Sequence, residues 1–588
     1  TYNQDIKVTY EHSSIYGGYV TGSTQDTPLS ANGNTVTITR NDRKDDVFMG
    51  SVVGGYTAAG EASGNTVKLT GVYIPENDNG DYGYNNIFAG YNDDTFVAGG
   101  QTDSGNAHDN HVTLTNADVV TVYGGKTNSG NAYNNHVSLT NADVVTVYGG
   151  AVTYGTEGSE AALPTDDNIE TTTVNVADLL AGNLVQSNSL SEDYMTLEVG
   201  SLTGESSSAE STGTTTALPQ LDVSANNNTV SVENLRAAQI ILDDSPSIYG
   251  GYVSLTIDDS ESSSTSGIPT TDQVAALANT ALAANTAANT LDTAAGANSN
   301  TVTIKQTTGL DDTYDPDKLG QGTAVFGGYV EVDGTVSAPL SASRNQVTLT
   351  HTPQTEGGAI VLGRYLAVTG GYTTYGDANA NKVSLAGQVI TLGDETSPNL
   401  WVSGSVVGGM TEEGSANANS VTLSVAETSG LVAGGLAVGT PLLTGNAVAL
   451  TKDDSDALTG VAVNGAVSAD YNTVSVTSAN TADVYGGLLD EDPNVIIDSG
   501  NYSQSNIVVM DTSLPTSLVT EQAAEEEEEA DADEAEVDLT AHLTQSTNNN
   551  TVSIGGVSSI SGNIGGGVVN STGLAALPMS SILEEVLP

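Results

Sequence analysis

The chain has 588 residues, including 66 glycines but no cysteine, and its 72 acidic and 13 basic residues give a formal net charge of −59. The lack of cysteine excludes a disulfide scaffold, a cysteine-based zinc site and thiol catalysis. The charge argues against binding to nucleic acid or anionic lipid, and favours divalent cations or basic partners. No run of about 18 apolar residues is present, so we expect no transmembrane helix and no direct membrane insertion.

The sequence repeats itself. Residues 101–125 and 126–150 are near copies of each other, with a period of 25 residues. Each copy carries an Asn-x-Val-x-Leu motif, at Asn110 and Asn135, and a Val-Tyr-Gly-Gly motif that ends at Gly125 and Gly150. Both motifs recur along most of the chain, which predicts a stacked repeat architecture in place of several globular domains.

The repeat motifs predict strands. Val-Thr-Leu-Thr alternates apolar and polar residues with a period of two, and glycine, asparagine and serine separate the short strands. Units of about 25 residues are typical of a parallel β-solenoid. We therefore predict an all-β fold, a parallel β-solenoid (β-helix) of ~25-residue coils with loop and helical insertions. The alternative is an antiparallel sandwich or propeller, for which two-residue hairpin turns are scarce. A trimeric solenoid stays open.

Stacking of like residues predicts ladders. The asparagine amides should bond from coil to coil, and the Gly-Gly pairs should lie at a tight corner where a positive φ or a close contact excludes a Cβ atom. The tyrosines beside Gly-Gly should stack in register, either as packing or as an exposed strip for a glycan or a protein. The predicted ladder residues in the two copies are Asn110, Asn135, Gly124, Gly125, Gly149, Gly150, Tyr123 and Tyr148.

Three stretches interrupt the repeat, and insertions of this kind often form the binding face of a solenoid. The second contains an Ala-rich segment that reads as a helix, and the third contains Glu525–Glu529 in an acidic helical or disordered segment. The predicted segments are coils 1–154, a Ser/Thr/Glu-rich insertion 155–222, a coil 223–255, a Ser-rich and Ala-rich insertion 256–297, coils 298–510, an acidic insertion 511–547, and a last coil with the C-terminal segment 548–588.

Catalytic signatures are weak. The few basic residues are scattered, with one group at Arg40–Lys44, and no nucleophile elbow or phosphate-binding loop is present. His108 and His111 have an H-x-x-H spacing, but the next copy carries Tyr133 in place of His108. We therefore predict stacked histidines, His111 on His136, and no catalytic residue or organic cofactor. The alternative is a polysaccharide-acting lyase or hydrolase, to be tested at Arg43 and Lys44.

Calcium is the one ion that the sequence suggests, because hard cations prefer clustered oxygen ligands. Four carboxylates lie within seven residues at Asp311, Asp312, Asp315 and Asp317, and Asp42–Asp46 offers a second cluster. Neither cluster matches an EF-hand or a calcium-binding glycine-rich repeat. A solvated acidic loop is the favoured interpretation, and a weak calcium site is the alternative.

The Asn-x-Val-x-Leu and Val-Tyr-Gly-Gly repeats, as in Asn34–Thr39, Val147–Gly150 and Val325–Val330, resemble those of bacterial autotransporter-type surface protein passengers. That resemblance implies an extracellular or cell-surface β-solenoid adhesin. We recognise no export signal and no C-terminal membrane barrel, so the secretion route stays open. The expected partners are a surface glycan or protein of a host or bacterium, or the chain itself in a filament.

Overall fold

The structure is a computed structural model of the chain, and it is all-β throughout its described part. It describes residues 14–25, 27–39, 47–71, 87–89, 96–155, 172–175, 195–198, 223–236, 247–256, 295–307, 323–333, 339–352, 363–392, 395–440, 448–452, 458–490, 507–510, 538–556 and 558–570. No helix occurs among these residues, and accordingly none that could span a membrane. Most of the Ala-rich segment 272–297 and of the acidic segment 521–543, which we predicted as helical, lies outside the described residues. Their described ends are not helical, because 295–297 form a bend and a bridge and 538–543 belong to the strand Asp538–Ser546.

The Gly-Gly motifs lie in strands that pair side by side, and we call this set of strands the Gly-Gly stack. Each strand pairs in parallel with the next, with glycine beside glycine. Its strands are Ile15–Val20, Val52–Ala59, Val97–Ser104, Ala117–Ser129, His136–Tyr154, Ser247–Thr256, Thr323–Asp333, Gly363–Tyr375, Val406–Glu413, Val432–Thr440, Val484–Asp490 and Ile564–Asn570.

The Asn-x-Val motifs form a second parallel set, the Asn stack, in which each strand begins at the residue directly after the asparagine. Ile507–Met510 also pairs with its last strand. Its strands are Thr35–Thr39, Thr66–Thr70, His111–Thr115, His136–Tyr154, Thr229–Arg236, Thr301–Gln306, Gln346–His351, Lys382–Ala386, Ser420–Ser424, Thr473–Thr477 and Thr551–Gly555.

Most of the remaining strands are short. Six of them pair in parallel with one another or with the Gly-Gly-stack strands Ala117–Ser129 and Gly363–Tyr375, namely Val47–Met49, Ile87–Ala89, Leu400–Val402, Glu427–Thr428, Asn480–Thr481 and Ser559–Ile560. Ala62–Ser63, Ala107–His108 and Ala132–Tyr133 form a small parallel sheet. Elsewhere Thr172–Asn175 pairs with Met195–Glu198, Val389–Leu392 with Glu395–Pro398, and Leu458–Ser468 with both Val448–Lys452 and Asp538–Ser546.

The pairing is parallel throughout the large sheet and in register apart from shifts at Thr323/Ala324 and Thr411/Glu413, so like residues lie above like residues. A column of valines fills the interior because each Asn-x-Val motif places its valine inward, as at Val67, Val112 and Val137, all fully buried. The leucine two positions later is also buried, and it packs with a valine column from the Gly-Gly stack. The core is therefore narrow and aliphatic. The arrangement is consistent with a β-solenoid-like fold, and the antiparallel alternative does not describe its main sheet.

Turns in the two near copies fall at matching positions. Asp109 and Asn134 have φ values of 54°, and Asn116 and Asn141 have values of 48° and 49°. Asparagine and aspartate tolerate this left-handed conformation better than other residues that carry a Cβ. Asp109 and Asn134 each come immediately before the asparagine of an Asn-x-Val motif, so the left-handed turn ends just before the next strand begins. The chain therefore changes direction at the same points in successive repeats.

Two antiparallel hairpins depart from the parallel pattern. Val389–Leu392 pairs with Glu395–Pro398, and Val448–Lys452 pairs with Leu458–Ser468. The segment that we predicted as the acidic insertion 511–547 contributes a strand, because Asp538–Ser546 pairs in parallel with Leu458–Ser468. The composition of 511–547 hid this strand, since the run of glutamates dominates it.

Candidate functional site

The asparagines of the repeat form a ladder of buried side-chain amides, which we call the asparagine ladder. The Nδ2 atom of Asn110 donates to Oδ1 of Asn135 at 3.0 Å, and that of Asn135 donates to Oδ1 of Asn228 at 3.1 Å. The backbone N–H of Asn135 also donates to Oδ1 of Asn228, at 2.9 Å. The second Nδ2 hydrogen of Asn135 reaches the carbonyl oxygen of Ala107 at 2.8 Å. One amide therefore uses all of its donors, and its oxygen accepts two bonds.

The same contact is repeated along the stack. In the described part of the chain each ladder residue donates its backbone N–H to Oδ1 of the next, at 2.7–3.2 Å. Apart from Asn34, which is half-buried, the members are at most 1 % exposed. The members are Asn34, Asn65, Asn110, Asn135, Asn228, Asn300, Asn345, Asn381, Asn419, Asn472 and Asn550.

The Gly-Gly pairs make room for the ladder. A Cβ atom on Gly125 would lie 2.5 Å from Nδ2 of Asn135, and one on Gly124 would lie 2.9 Å from the Asn135 Cβ atom. Gly149 and Gly150 stand in the same relation to Asn228. None of these four glycines has a positive φ. Close contact is therefore the reason for glycine here, and the left-handed conformation that we offered as the other explanation does not apply.

The two repeat motifs thus form one structural unit. The Gly-Gly pair interrupts the in–out alternation of its strand, so that both glycines lie inward over an asparagine. The residues on either side then both lie outward, as the half-buried Tyr249 and Tyr252 do on either side of the buried pair Gly250–Gly251. This arrangement explains why aromatic residues flank Gly-Gly in the sequence.

The flanking aromatic rings form two stacked columns on the outer face of the Gly-Gly stack. We call this surface the aromatic strip. The Tyr123 and Tyr148 rings are 4.9 Å apart and 6° from parallel. The stacking continues through Tyr249 to Phe326, at 5.1 and 5.3 Å. The second column consists of Tyr252, Tyr329 and Tyr372, and its rings contact the first column edge to face, as at Tyr249 and Tyr252.

Burial changes the acid–base behaviour of the strip. It raises the pKa of Tyr123 to about 12 and raises the pKa of Tyr148 further, so both phenols are neutral at physiological pH. Two hydroxyls of the second column reach carboxylates. Tyr372 donates to Oε1 of Glu412 at 2.5 Å, and Tyr329 lies 3.5 Å from Oε2 of Glu331. The strip therefore combines aromatic rings with fixed negative charge.

One cation of the chain already lies at the end of this strip. The Lys126 Nζ atom is 4.7 Å from the centroid of the Phe96 ring and 5.0 Å from that of Tyr123. Burial lowers the pKa of Lys126, and the nearby Asp103 carboxylate opposes that shift. Asp103 also accepts a hydrogen bond from the Tyr56 hydroxyl at 2.8 Å.

Each histidine in the first of the two near copies contacts a ring of the second copy. The His108 ring stacks on Tyr133 at 4.7 Å, with Nε2 2.9 Å from Glu61 and Nδ1 2.7 Å from Asp109. His111 pairs with His136 in register, at 5.8 Å between ring centroids, but the rings are tilted by 44° and are not stacked as we predicted. Both rings contact Asp109, His108 through the carboxylate and His111 through the backbone carbonyl oxygen at 3.2 Å. They contact different rings of the neighbouring repeat, Tyr133 and His136.

The calcium candidates Asp311, Asp312, Asp315 and Asp317 lie outside the described residues, as do Asp42, Asp45 and Asp46 and the basic pair Arg43 and Lys44. No group of three or more metal-ligating side chains occurs within the described ranges.

The structure contains a buried His–Tyr pair that no sequence motif predicts. His351 is 1 % exposed, and its Nε2 atom lies 2.9 Å from the hydroxyl of the buried Tyr365. Burial lowers the pKa of His351 to about 4. The ring fits because Gly363 has no side chain on the neighbouring strand. The alignment of the repeats offers one indication that His351 is buried, because it places His351 beside Gln306 of the preceding repeat, which is itself buried.

Comparison with protein-family models, with curated proteins and with solved structures returned no match for the chain. Any proposal on function therefore rests on the asparagine ladder, the aromatic strip and the other contacts of the described residues.

Proposed function

We propose that the protein is a non-catalytic, extracellular β-solenoid with a structural and adhesive role. One Gly-Gly strand and the Asn strand that follows it, with their turns, make up one coil, which needs about 25 residues where no insertion intervenes. The observation that supports this proposal is the asparagine ladder, which continues from Asn34 to Asn550 with the same backbone-to-amide bond at each step. A structure stabilised in this way is stiff along its axis.

The coil spacing gives the size of the rod. The Gly-Gly stack has eleven strand pairings from Ile15–Val20 to Ile564–Asn570 in the described residues. At about 4.8 Å per step, the rod is about 50 Å long.

The long segments between neighbouring rungs support the adhesive part of the proposal. Asn135 bonds to Asn228, 93 residues further on, and Asn228 bonds to Asn300, 72 residues further on. The amide bond has the same length, 3.1 Å, in both cases, so a long insertion between two rungs does not disturb the ladder. In this proposal the chain is an autotransporter-type passenger, and segments 155–222, 256–297 and 511–547 recognise a glycan or protein on a host or bacterial surface.

Self-assembly into a filament is the second candidate. Ile15–Val20 pairs in parallel with Val52–Ala59 on one side, and no described strand pairs with its other side. An open strand edge is a template for pairing with another chain. Head-to-tail contact of this kind generates fibres when it does not close into a ring. A polysaccharide lyase or hydrolase remains the third proposal, and loss of such activity on Arg43→Ala or Lys44→Ala would favour it.

Electron microscopy of the purified chain, with and without calcium, tests these proposals. Separate rods of about 50 Å support the monomeric adhesin, whereas long uniform filaments support assembly. Globular particles without a long axis would contradict both. In the filament case, Tyr19→Lys on the edge strand should shorten the filaments, because charge blocks edge pairing. Tyr471→Lys is the matched control, since Tyr471 is 64 % exposed, Tyr19 is 55 % exposed, and Tyr471 lies away from that edge.

A further inference from the structure

The aromatic strip has a chemical character that the rod itself does not require. Interior packing and the asparagine ladder hold the coils together, yet half-buried rings cover the outer face of the Gly-Gly stack. Glu331 and Glu412 lie beside the second column and contact the hydroxyls of Tyr329 and Tyr372. Rings beside fixed carboxylates attract cations through two effects at once, the ring quadrupole and direct charge.

Lys126 shows how a cation occupies this surface. Its ammonium group lies over the Phe96 and Tyr123 rings at the end of the first column, with Asp103 nearby. In register, Lys126 pairs with Ala151, and Ala151 pairs with Tyr252, the first ring of the second column. The same register position is occupied by Tyr252, Tyr329 and Tyr372 in the following strands. Within the described part of the strip, Lys126 is therefore the only cation at this register position.

We propose that the aromatic strip binds a basic polypeptide segment rich in arginine or lysine. The proposal rests on the proposed function, and it names a partner class for the rod. Charge complementarity supports it, since the chain carries 72 acidic and 13 basic residues. Bulk charge alone would attract polycations to any face, whereas the strip adds ring faces and carboxylates in a regular array. Arginine suits this array because its planar guanidinium stacks on aromatic rings and bonds carboxylates.

The spacing of the carboxylates defines the segment further. Tyr329 pairs with Tyr372, so Glu331 lies beside Thr374, each two positions further along its strand. Thr373 pairs with Thr411, so Thr374 in turn lies beside Glu412. Glu331 and Glu412 are therefore two coil steps apart, about 10 Å. An extended peptide covers that distance in about three residues. A segment with a basic residue at every third position fits the strip best.

The test uses a fluorescein-labelled peptide of four Arg-Gly-Gly repeats and the full chain, with fluorescence anisotropy at about 0.15 M salt, where exposed long-range charge is screened. The double variant Tyr329→Met with Tyr372→Met keeps the net charge. Methionine is a matched replacement because Met410 is the register partner of Tyr372 in the next coil. We expect this variant to bind the peptide about tenfold more weakly, because two cation–aromatic contacts are lost. Unchanged affinity would overturn the proposal.

A charge-matched pair gives an independent test that does not alter the rings. Glu331→Gln with Glu412→Gln should weaken peptide binding, whereas Glu233→Gln with Glu427→Gln removes the same charge from other strands and should have a smaller effect. Equal weakening by both pairs would show that bulk charge alone attracts the peptide. Sedimentation velocity tests a second copy as the occupant, and loss of self-association without loss of peptide binding would overturn the proposal.

A failure of the strip to bind the peptide can be distinguished from a failure of the rod proposal. These variants change outward residues, so rods seen by electron microscopy should keep their length whether or not the peptide binds.

Discussion

The side chain of Asn135 receives two hydrogen bonds from Asn110 through the same oxygen. The Asn110 backbone N–H donates to Oδ1 of Asn135 at 3.2 Å, and the Asn110 Nδ2 atom donates to it at 3.0 Å. One side chain thus fixes both the backbone and the side chain of its neighbour. Asparagine suits this position because it combines an acceptor oxygen and two donors on a short side chain.

We predict that Asn135→Ala destabilises the fold by about 3 kcal/mol or more, because several buried polar groups lose their partners at once. The groups affected are the Asn110 amide, the Asn228 oxygen and the Ala107 carbonyl. Urea unfolding followed by circular dichroism measures the change in the free energy of unfolding.

Asn32→Ala is the control for that measurement. The Asn32 Oδ1 atom also accepts a backbone hydrogen bond, from Ser63 at 2.9 Å, but Asn32 is exposed. Water can replace its bond, so we expect a loss of about 1 kcal/mol or less. Equal effects of the two substitutions would contradict the importance of burial in the ladder.

A methyl group at Gly125 should disturb the ladder without removing any polar atom. Gly125→Ala places a Cβ atom 2.5 Å from Nδ2 of Asn135, so the amide must move. We expect a loss of about 2 kcal/mol or more, as for other overpacked interiors. Gly555→Ala is the control, because Gly555 also belongs to a strand of the large parallel sheet and has no atom within 4 Å of the added Cβ. Thermal unfolding of the two variants should separate them, and similar melting temperatures would contradict the close-contact explanation.

The buried His351 should make stability depend on pH. Its pKa is about 4 in the folded protein, against 6.5 as the ordinary value, so above pH 6.5 it is neutral in both states. As the pH falls from 6.5 to 4, the unfolded chain binds the proton and the folded chain does not. Stability is therefore lost across this range, by about 3 kcal/mol, and little more is lost below it.

His351→Gln isolates this contribution, because Gln306 occupies the paired position in the preceding repeat. The variant should lose less stability than the parent chain between pH 6.5 and pH 4, while the carboxylates contribute equally to both. The measurement is the free energy of unfolding at several pH values. Parallel curves for the two proteins would show that His351 is not the group responsible. Tyr365, its hydrogen-bond partner, stays neutral throughout, because burial raises the pKa of this phenol.

The acidic segment at Asp311–Asp317 gives a prediction about calcium. As a solvated loop, it should bind no ion tightly, and adding EDTA should leave the melting temperature unchanged. A lower melting temperature with EDTA, abolished in the variant Asp315→Asn with Asp317→Asn, would instead establish a calcium site.

The sequence predicted the strands and their parallel stacking because the period is explicit. Residues 101–125 and 126–150 differ so little that the in-register pairing of Val112 with Val137 follows almost directly. The amide bond from Asn110 to Asn135 could also be anticipated, since like side chains lie above each other in any parallel stack.

Other features could not be read from the period alone. The link between Gly125 and Asn135 depends on how the chain folds back across the interior, which spacing does not reveal. The outward position of both Tyr249 and Tyr252 requires a break in the strand alternation that no propensity encodes. The pairing of Asp538–Ser546 with Leu458–Ser468 joins segments that share no motif, so the repeat could not predict it.

The uniform rung has a consequence for how such a chain can grow in evolution. The bond that joins Asn110 to Asn135 across 25 residues has nearly the same length as the bond that joins Asn135 to Asn228 across 93. The geometry of the amide bond therefore does not depend on how many residues separate the two asparagines. A gene segment encoding one rung can be duplicated in tandem, and new sequence can enter between rungs, without altering the joint on either side. The near-identity of residues 101–125 and 126–150 is what recent duplication would leave behind.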